Sequence, residues 1–137
     1  MNSIEISKIA RIKYLKMVYE AKASHIGSTL SIIDILSVLY CDVLQIFPKS
    51  VANSDRDRFI LSKGHACVWL YTILGIKFPP HNKELKTYGK NNSIFMNHIS
   101  HKVPGVEFST GSLGHGLPFG VGKVLTAKKN NQSWRTF

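Results

Sequence analysis

Three histidines of this 137-residue chain stand among small residues, in the order Ser24-His25-Ile26-Gly27-Ser28, Ser62-Lys63-Gly64-His65-Ala66, and His98 ahead of the tract Pro104 to Gly116. Glycine lets backbone come close to a ligand. Imidazole carries a proton that moves near neutral pH and can be given or taken in catalysis. It also donates to phosphate oxygens. Any one loop histidine is more often just an exposed polar residue. The three together, each tied to glycine or serine, point to one pocket for acid–base work or anion binding.

The elements that must position these histidines are legible in outline. Ile4 to Ala23 reads as an amphipathic helix, with Ile9, Ile12, Leu15 and Tyr19 at helical spacing and lysines between them. The tract around His25 breaks it. A second helix is expected from Ile32 to Phe47, capped by Ser31 with Asp34 three residues on, buried because it is apolar on every side, and ended by Pro48. Residues 48–58 read as polar loop. Phe59-Ile60-Leu61 then reads as a buried parallel strand, Lys63-Gly64-His65 as a turn, and Ala66 to Leu74 as a helix closed by Gly75. Strand, tight turn and helix is the geometry in which an anion meets free backbone N–H groups.

Pro79-Pro80 argues against helix at that point, Asn82 to Tyr88 suits one short helix, and Gly89 to Val103 reads as a loop long enough to be functional. The last helix is expected over Ser112 to Lys129. Its Gly116, Gly120 and Gly122 each cost about 1 kcal/mol relative to alanine, so a neighbouring helix, a second chain or a ligand must need that smooth face. Ser133 to Phe137 opens a second strand. The fold class expected is therefore α/β, a helix-rich single domain with one complete parallel strand and the start of another.

Eighteen Lys and Arg against eight Asp and Glu give a net charge of +10. These charges are scattered, with no run of five basic residues and no interleaved aromatics, so solvated helix faces are a better account than a nucleic-acid surface. Cys41 and Cys67 have no metal-ligand spacing and suit buried, reduced thiols. Residues 1–24 carry repeated charges and no apolar core, so no leader peptide is expected. No run approaches the ~18 apolar residues of a membrane span, and the cytoplasm is the expected compartment.

Arg56-Asp57-Arg58-Phe59-Ile60-Leu61-Ser62-Lys63-Gly64-His65-Ala66, flanked by the His25 tract and the Pro104–Gly116 tract, resembles the N-terminal thiamine-diphosphate-binding domain of the transketolases. The resemblance covers essentially the whole chain. It implies catalytic roles for His25, His65 and His98, with His25 and His98 facing the sugar and His65 beside the diphosphate and thiazolium ring. His101 competes with His98 for the substrate contact. His65, Gly64, Gly111, Leu113 and Gly116 would form the cofactor wall. His115 stands where the family usually has glutamine, and Cys67 where a small hydroxylic residue is common.

By that resemblance the cofactor is thiamine diphosphate and the reaction moves a two-carbon ketol unit from a ketose phosphate to an aldose phosphate. A dimeric enzyme of pentose phosphate metabolism is the type. The family's Gly-Asp-Gly motif and downstream asparagine, which hold magnesium or calcium, find no match among these residues, nor does the carboxylate that activates the aminopyrimidine. No metal ligands are assigned, and the isolated chain is expected to be inactive. It reads as part of a larger enzyme, or as a piece acting in trans with a second transketolase-type chain through its glycine-faced helix. The alternative is a non-catalytic basic binding module, or a regulatory subunit that docks on a full transketolase.

Overall fold

Asn2 and Glu5 cap each other reciprocally, Asn2 Oδ1 accepting from the Glu5 amide and the Glu5 carboxylate from the Asn2 amide, and so start α1 (Ser3–Ala21). The computed structural model describes residues 1–46, 53–78 and 80–137. After α1 come α2 (Ile26–Leu30), α3 (Ile33–Val38), a π-helical turn (Leu39–Val43), a 3-10 turn (Gly64–Ala66) and α4 (Cys67–Lys77). Then follow α5 (Pro80–Glu84), a 3-10 turn (Leu85–Thr87) and α6 (Gly116–Lys129). Among the described residues no helix is long and apolar enough to cross a membrane.

The centre of the molecule is α4. Every residue from Cys67 to Gly75 is buried, as an apolar-all-round helix demands. That role was expected of residues 32–47. Here those residues break into α3 and the π-helical turn, and Ile35 and Val38 face solvent. Ser31 does not cap: its Oγ donates to the Ser28 carbonyl, and Asp34 reaches across to Arg11 and Ser7. Phe47 and Pro48 lie outside the described residues.

Helix α1 packs on α3 and α4. It buries Ile6, Ala10, Tyr14 and Val18, and leaves Ile9, Ile12, Leu15 and Tyr19, the expected core face, exposed. Both stripes have helical spacing. The choice is made by what the helix meets: Tyr14 Oη donates to the Ile26 carbonyl (2.8 Å), and Met17 meets Thr72 of α4.

Gly75 does not end α4, which runs on to Lys77. A Cβ at Gly75 would lie 2.5 Å from Leu85 Cδ1, so its bare α-carbon is a seat for the following 3-10 turn. Pro80 starts α5 rather than forbidding it, because the first helical position needs no N–H. Pro79 is outside the described residues. The expected single helix at 82–88 is the end of α5 plus the 3-10 turn.

The expected strands are not formed as such among the described residues. Residues 58–60 and 135–137 run parallel through one bridge, Arg58 to Thr136, with N–H···O bonds from Arg58 to Arg135, Ile60 to Phe137 and Phe137 to Arg58. The parallel direction agrees with expectation; the strand does not extend. Asp57 holds the pair together. Its carboxylate accepts from the Arg135 guanidinium (2.6 Å) and from the backbone amides of Arg135 and Gln45 (both 2.8 Å). Burial pushes this carboxyl up, but those hydrogen bonds outweigh it and hold the pKa below the ordinary value. Glu107 pairs with Arg56 and Arg58, and Arg58 stacks over Trp134 (4.6 Å).

Helix α6 begins at Gly116, later than expected, and lies over this pair. A Cβ at Gly116 would stand 2.5 Å from Ser62 Cβ, and one at Gly120 would touch Ile60 and Thr136. Gly116 and Gly120 therefore accommodate the extended segment of this chain, not the helix, second chain or ligand expected. Gly122 has nothing near it.

Candidate functional site

The 3-10 turn at Gly64–Ala66 throws His65 out from the buried start of α4. Gly64 permits the turn because any Cβ there would collide with the Thr110 carbonyl, and Thr110 Oγ1 in turn donates to the Leu61 carbonyl (2.6 Å). The Pro104–Gly116 tract is thus locked against the His65 turn. Lys63, just before it, donates to Ser31 Oγ (2.7 Å) and so ties the turn to the His25 side.

His25 lies between α1 and α2 with φ +70°. A non-glycine residue there is strained by about 1–3 kcal/mol, a kind of strain that clusters at functional sites. Its carbonyl accepts from Ser28 Oγ (2.7 Å) and the Thr29 amide (3.2 Å), which keeps the backbone in that conformation and projects the ring.

His98 comes from the long segment 89–103, which contains no helix or strand yet buries Phe95, Ile99 and Val103. The Ile99 amide donates to the Gly64 carbonyl (3.0 Å), and Tyr71 Oη donates to the His98 carbonyl (3.0 Å). The long loop is anchored, then, to the same turn and helix that carry His65.

The three rings meet. His25 is 5.3 Å from His65 and 5.6 Å from His98, centroid to centroid. His101 stands apart, its amide and Nδ1 both engaged with Ser109 Oγ (2.8 and 2.7 Å). Geometry therefore joins His98 to the cluster. Burial, with the nearby His25, Lys63 and His98, pushes His65 below the ordinary histidine pKa. His65 is thus a neutral imidazole near pH 7, able to accept a proton from a hydroxyl or donate an N–H to an anion.

The glycines expected to line a cofactor divide in two. Gly64 and Gly116 are buried and turned against Thr110 and Ser62. Gly111 and Gly114 have no atom within 4 Å of where a Cβ would be, and Leu113 beside them is 72% exposed, so this stretch is an open rim. His115 heads α6 without a side-chain capping bond. Among the described residues no group of His, Cys, Asp and Glu suits a metal ion, and the buried carboxylates Asp57 and Glu107 are taken by arginines.

Reading the residues alone missed Lys63 and Tyr71. For Lys63 the signal was its place two residues before His65. For Tyr71 it was a hydroxyl in a helix with no other reason to carry one.

Comparison with known proteins identifies the family. Residues 3–136 match the model of the transketolase thiamine-diphosphate-binding domain. One of the named subunits of apulose-4-phosphate transketolase from Phocaeicola vulgatus is 39% identical over 127 residues, 93% of this chain and 45% of that protein. Its counterpart from Actinobacillus succinogenes is 40% identical over 82% of this chain and 41% of its own length. The chain spans less than half the length of these relatives. The crystal structure of Campylobacter jejuni transketolase superposes with a TM-score of 0.85 at 35% identity, covering 95% of this chain and 21% of that one. With the domain model matched over nearly its whole length, the chain belongs to the transketolase family.

Proposed function

We propose that this chain supplies the histidine wall of a thiamine-diphosphate site which moves a two-carbon ketol unit between sugar phosphates, working with a complementary subunit. The observation that supports it is the meeting of His25, His65 and His98, drawn from three separate segments, on one exposed face. The donor set suits the cofactor: Lys63 and the imidazoles offer N–H groups to a diphosphate, and the open rim at Gly111 to Gly114 leaves room for backbone approach.

When bound, thiamine diphosphate supplies the electron sink for breaking and making the carbon–carbon bond. The chain's own part is to orient and to move protons. His25 and His98, both exposed, take hydrogen bonds from sugar hydroxyls and accept or return their protons. His65, neutral and partly buried, holds its N–H toward the diphosphate side. Such general acid–base groups are each worth about 10²–10⁴-fold in rate. The oxygen donors that a divalent cation needs are not assembled by the described residues, so the metal is assigned to no residue here.

The apulose-4-phosphate transketolase relatives are named as one subunit of an enzyme, which makes a complementary chain the natural source of the remaining groups. The surface proposed for it is α6, where Leu117, Val121, Val124 and Leu125 with Phe137 line an apolar groove of about 440 Å³. The test is reconstitution. Chain plus complementary subunit, with thiamine diphosphate and magnesium, should transfer ketol units from a ketose phosphate. His25→Ala and His98→Ala should lower kcat by about 10²-fold or more. Full activity with both imidazoles removed would defeat the reading.

A further inference from the structure

Tyr71 lies one turn beyond Cys67 in α4, with its ring buried edge-on against Phe95 (5.1 Å). A phenylalanine would fill that space equally well. The hydroxyl must therefore be explained by its partners, because a buried hydroxyl without them is costly. It has two: it donates to the carbonyl of His98 (3.0 Å) and accepts from the amide of Ser100 (3.1 Å). One oxygen thus bridges both sides of the short strap that carries the His98 ring. Burial pushes the phenol well above its ordinary pKa, so it keeps the proton it donates.

This strap is also held by packing, through buried Ile99 and Ser100. It belongs to the segment without helix or strand, and His98 itself is exposed. Bonds nearby include Ile99 amide to Gly64 carbonyl (3.0 Å), Cys67 Sγ to Met96 carbonyl (3.3 Å), Val103 amide to Ser100 carbonyl (3.1 Å) and His101 amide to Ser109 Oγ (2.8 Å). None of these touches a polar group of His98. Helix α4 begins just after His65 and reaches the His98 backbone through Tyr71. It therefore acts as a ruler between two of the clustered imidazoles.

We propose that Tyr71 is a positioning residue for His98, its hydroxyl setting where that imidazole stands relative to His25 and His65. The placement stands on geometry alone; its consequence for catalysis rests on the function proposed above.

The test uses the full chain with ring-labelled histidines, observed by NMR. Wild type should show a ring-to-ring contact between His25 and His98. Tyr71→Phe should stay folded, lose that contact, and move the His98 ring signals toward those of a free loop histidine. Thr72→Val, on the next position of α4, removes a buried hydroxyl bonded only within the core (to Val68 carbonyl, 2.8 Å, and near Met17), and should keep the contact. A folded Tyr71→Phe with the His25–His98 contact and His98 signals unchanged would overturn the proposal. Should Tyr71→Phe not fold, amide exchange of Ser100 in wild type decides. Protection comparable to α4 supports the bridge; exchange as fast as that of an open loop refutes it. In the reconstituted reaction Tyr71→Phe should lower kcat by about 10²-fold, as a misplaced group does, with Thr72→Val near wild type. Failure of wild type to transfer ketol units would count against the function and leave the NMR result to judge the positioning.

Discussion

The histidine face and the α6 face are built on opposite terms. On the first, exposed polar rings are carried by backbone that is bonded inward at every step: His25 by Ser28 and Thr29, the His65 turn by Thr110 and Ile99, the His98 strap by Tyr71. On the second, only Gly116, Gly120 and Ala127 of the 14 residues of α6 are buried, and Leu117 and Leu125 stand 74% and 60% exposed. That side is held by the ion pairs of Asp57 with Arg135 and Glu107 with Arg56 and Arg58 in the segments beneath, and by the stack of Phe119 on Phe108 (4.0 Å). Groups that must meet a small ligand are pre-set by a rigid scaffold. A face with this much apolar surface is suited to being covered.

Damage to the two faces should therefore be unequal. The largest effect is expected in α4, beneath the histidines: Ile73→Ala should cost about 2–5 kcal/mol in urea unfolding, as a core truncation does. Gly64→Ala comes next. Its Cβ meets Thr110 backbone, which cannot swing aside, so about 1–3 kcal/mol should be lost and the His25–His65 ring contact weakened in the NMR spectrum.

Acid should act in two steps, both lowering stability. Because His65 titrates below 6.5 when folded, the unfolded chain binds that proton more readily, and stability falls as pH drops below the ordinary histidine value. Asp34, held at about 2 by Arg11 and then Ser7, contributes above its ordinary 3.8 and loses this as pH falls toward 2. Its side chain is 71% exposed, so its share of the second step should be at most about 1 kcal/mol; Asp34→Asn should remove that share and leave the part due to Asp57, whose carboxyl is also held below its ordinary value. Urea midpoints at stepped pH separate the two. The smallest effect belongs to α6: Leu117→Ala should change stability by less than about 0.5 kcal/mol while weakening association with the complementary subunit, read by light scattering. A large loss of stability there would mean that α6 is core and would erase the contrast between the faces.

Much of the site was legible in the residues because its chemistry is local. His25 and His65 each sit in a short tract whose glycines and serines mark a turn, His98 lies in the long segment before Pro104, and the three rings meet. The fold was less legible because its choices are long-range. In α1 two apolar stripes share one periodicity, and only contact with α2 and α4 decides that Tyr14 goes in and Tyr19 stays out. Asp34 has the spacing of a capping residue, but a bidentate bond to Arg11, 23 residues away, claims it. Gly75 and Pro80 look like stops. The first is a socket for Leu85, and the second a start, since proline's missing N–H costs nothing at a helix beginning.

The left-handed backbone at His25 sets stability against activity. Glycine adopts φ +70° freely, so His25→Gly should relieve strain of the order of 1 kcal/mol and raise the melting temperature while deleting a ring from the cluster. Selection for robustness alone would therefore drift away from histidine at this position. A library screened only for thermal tolerance should discard it first.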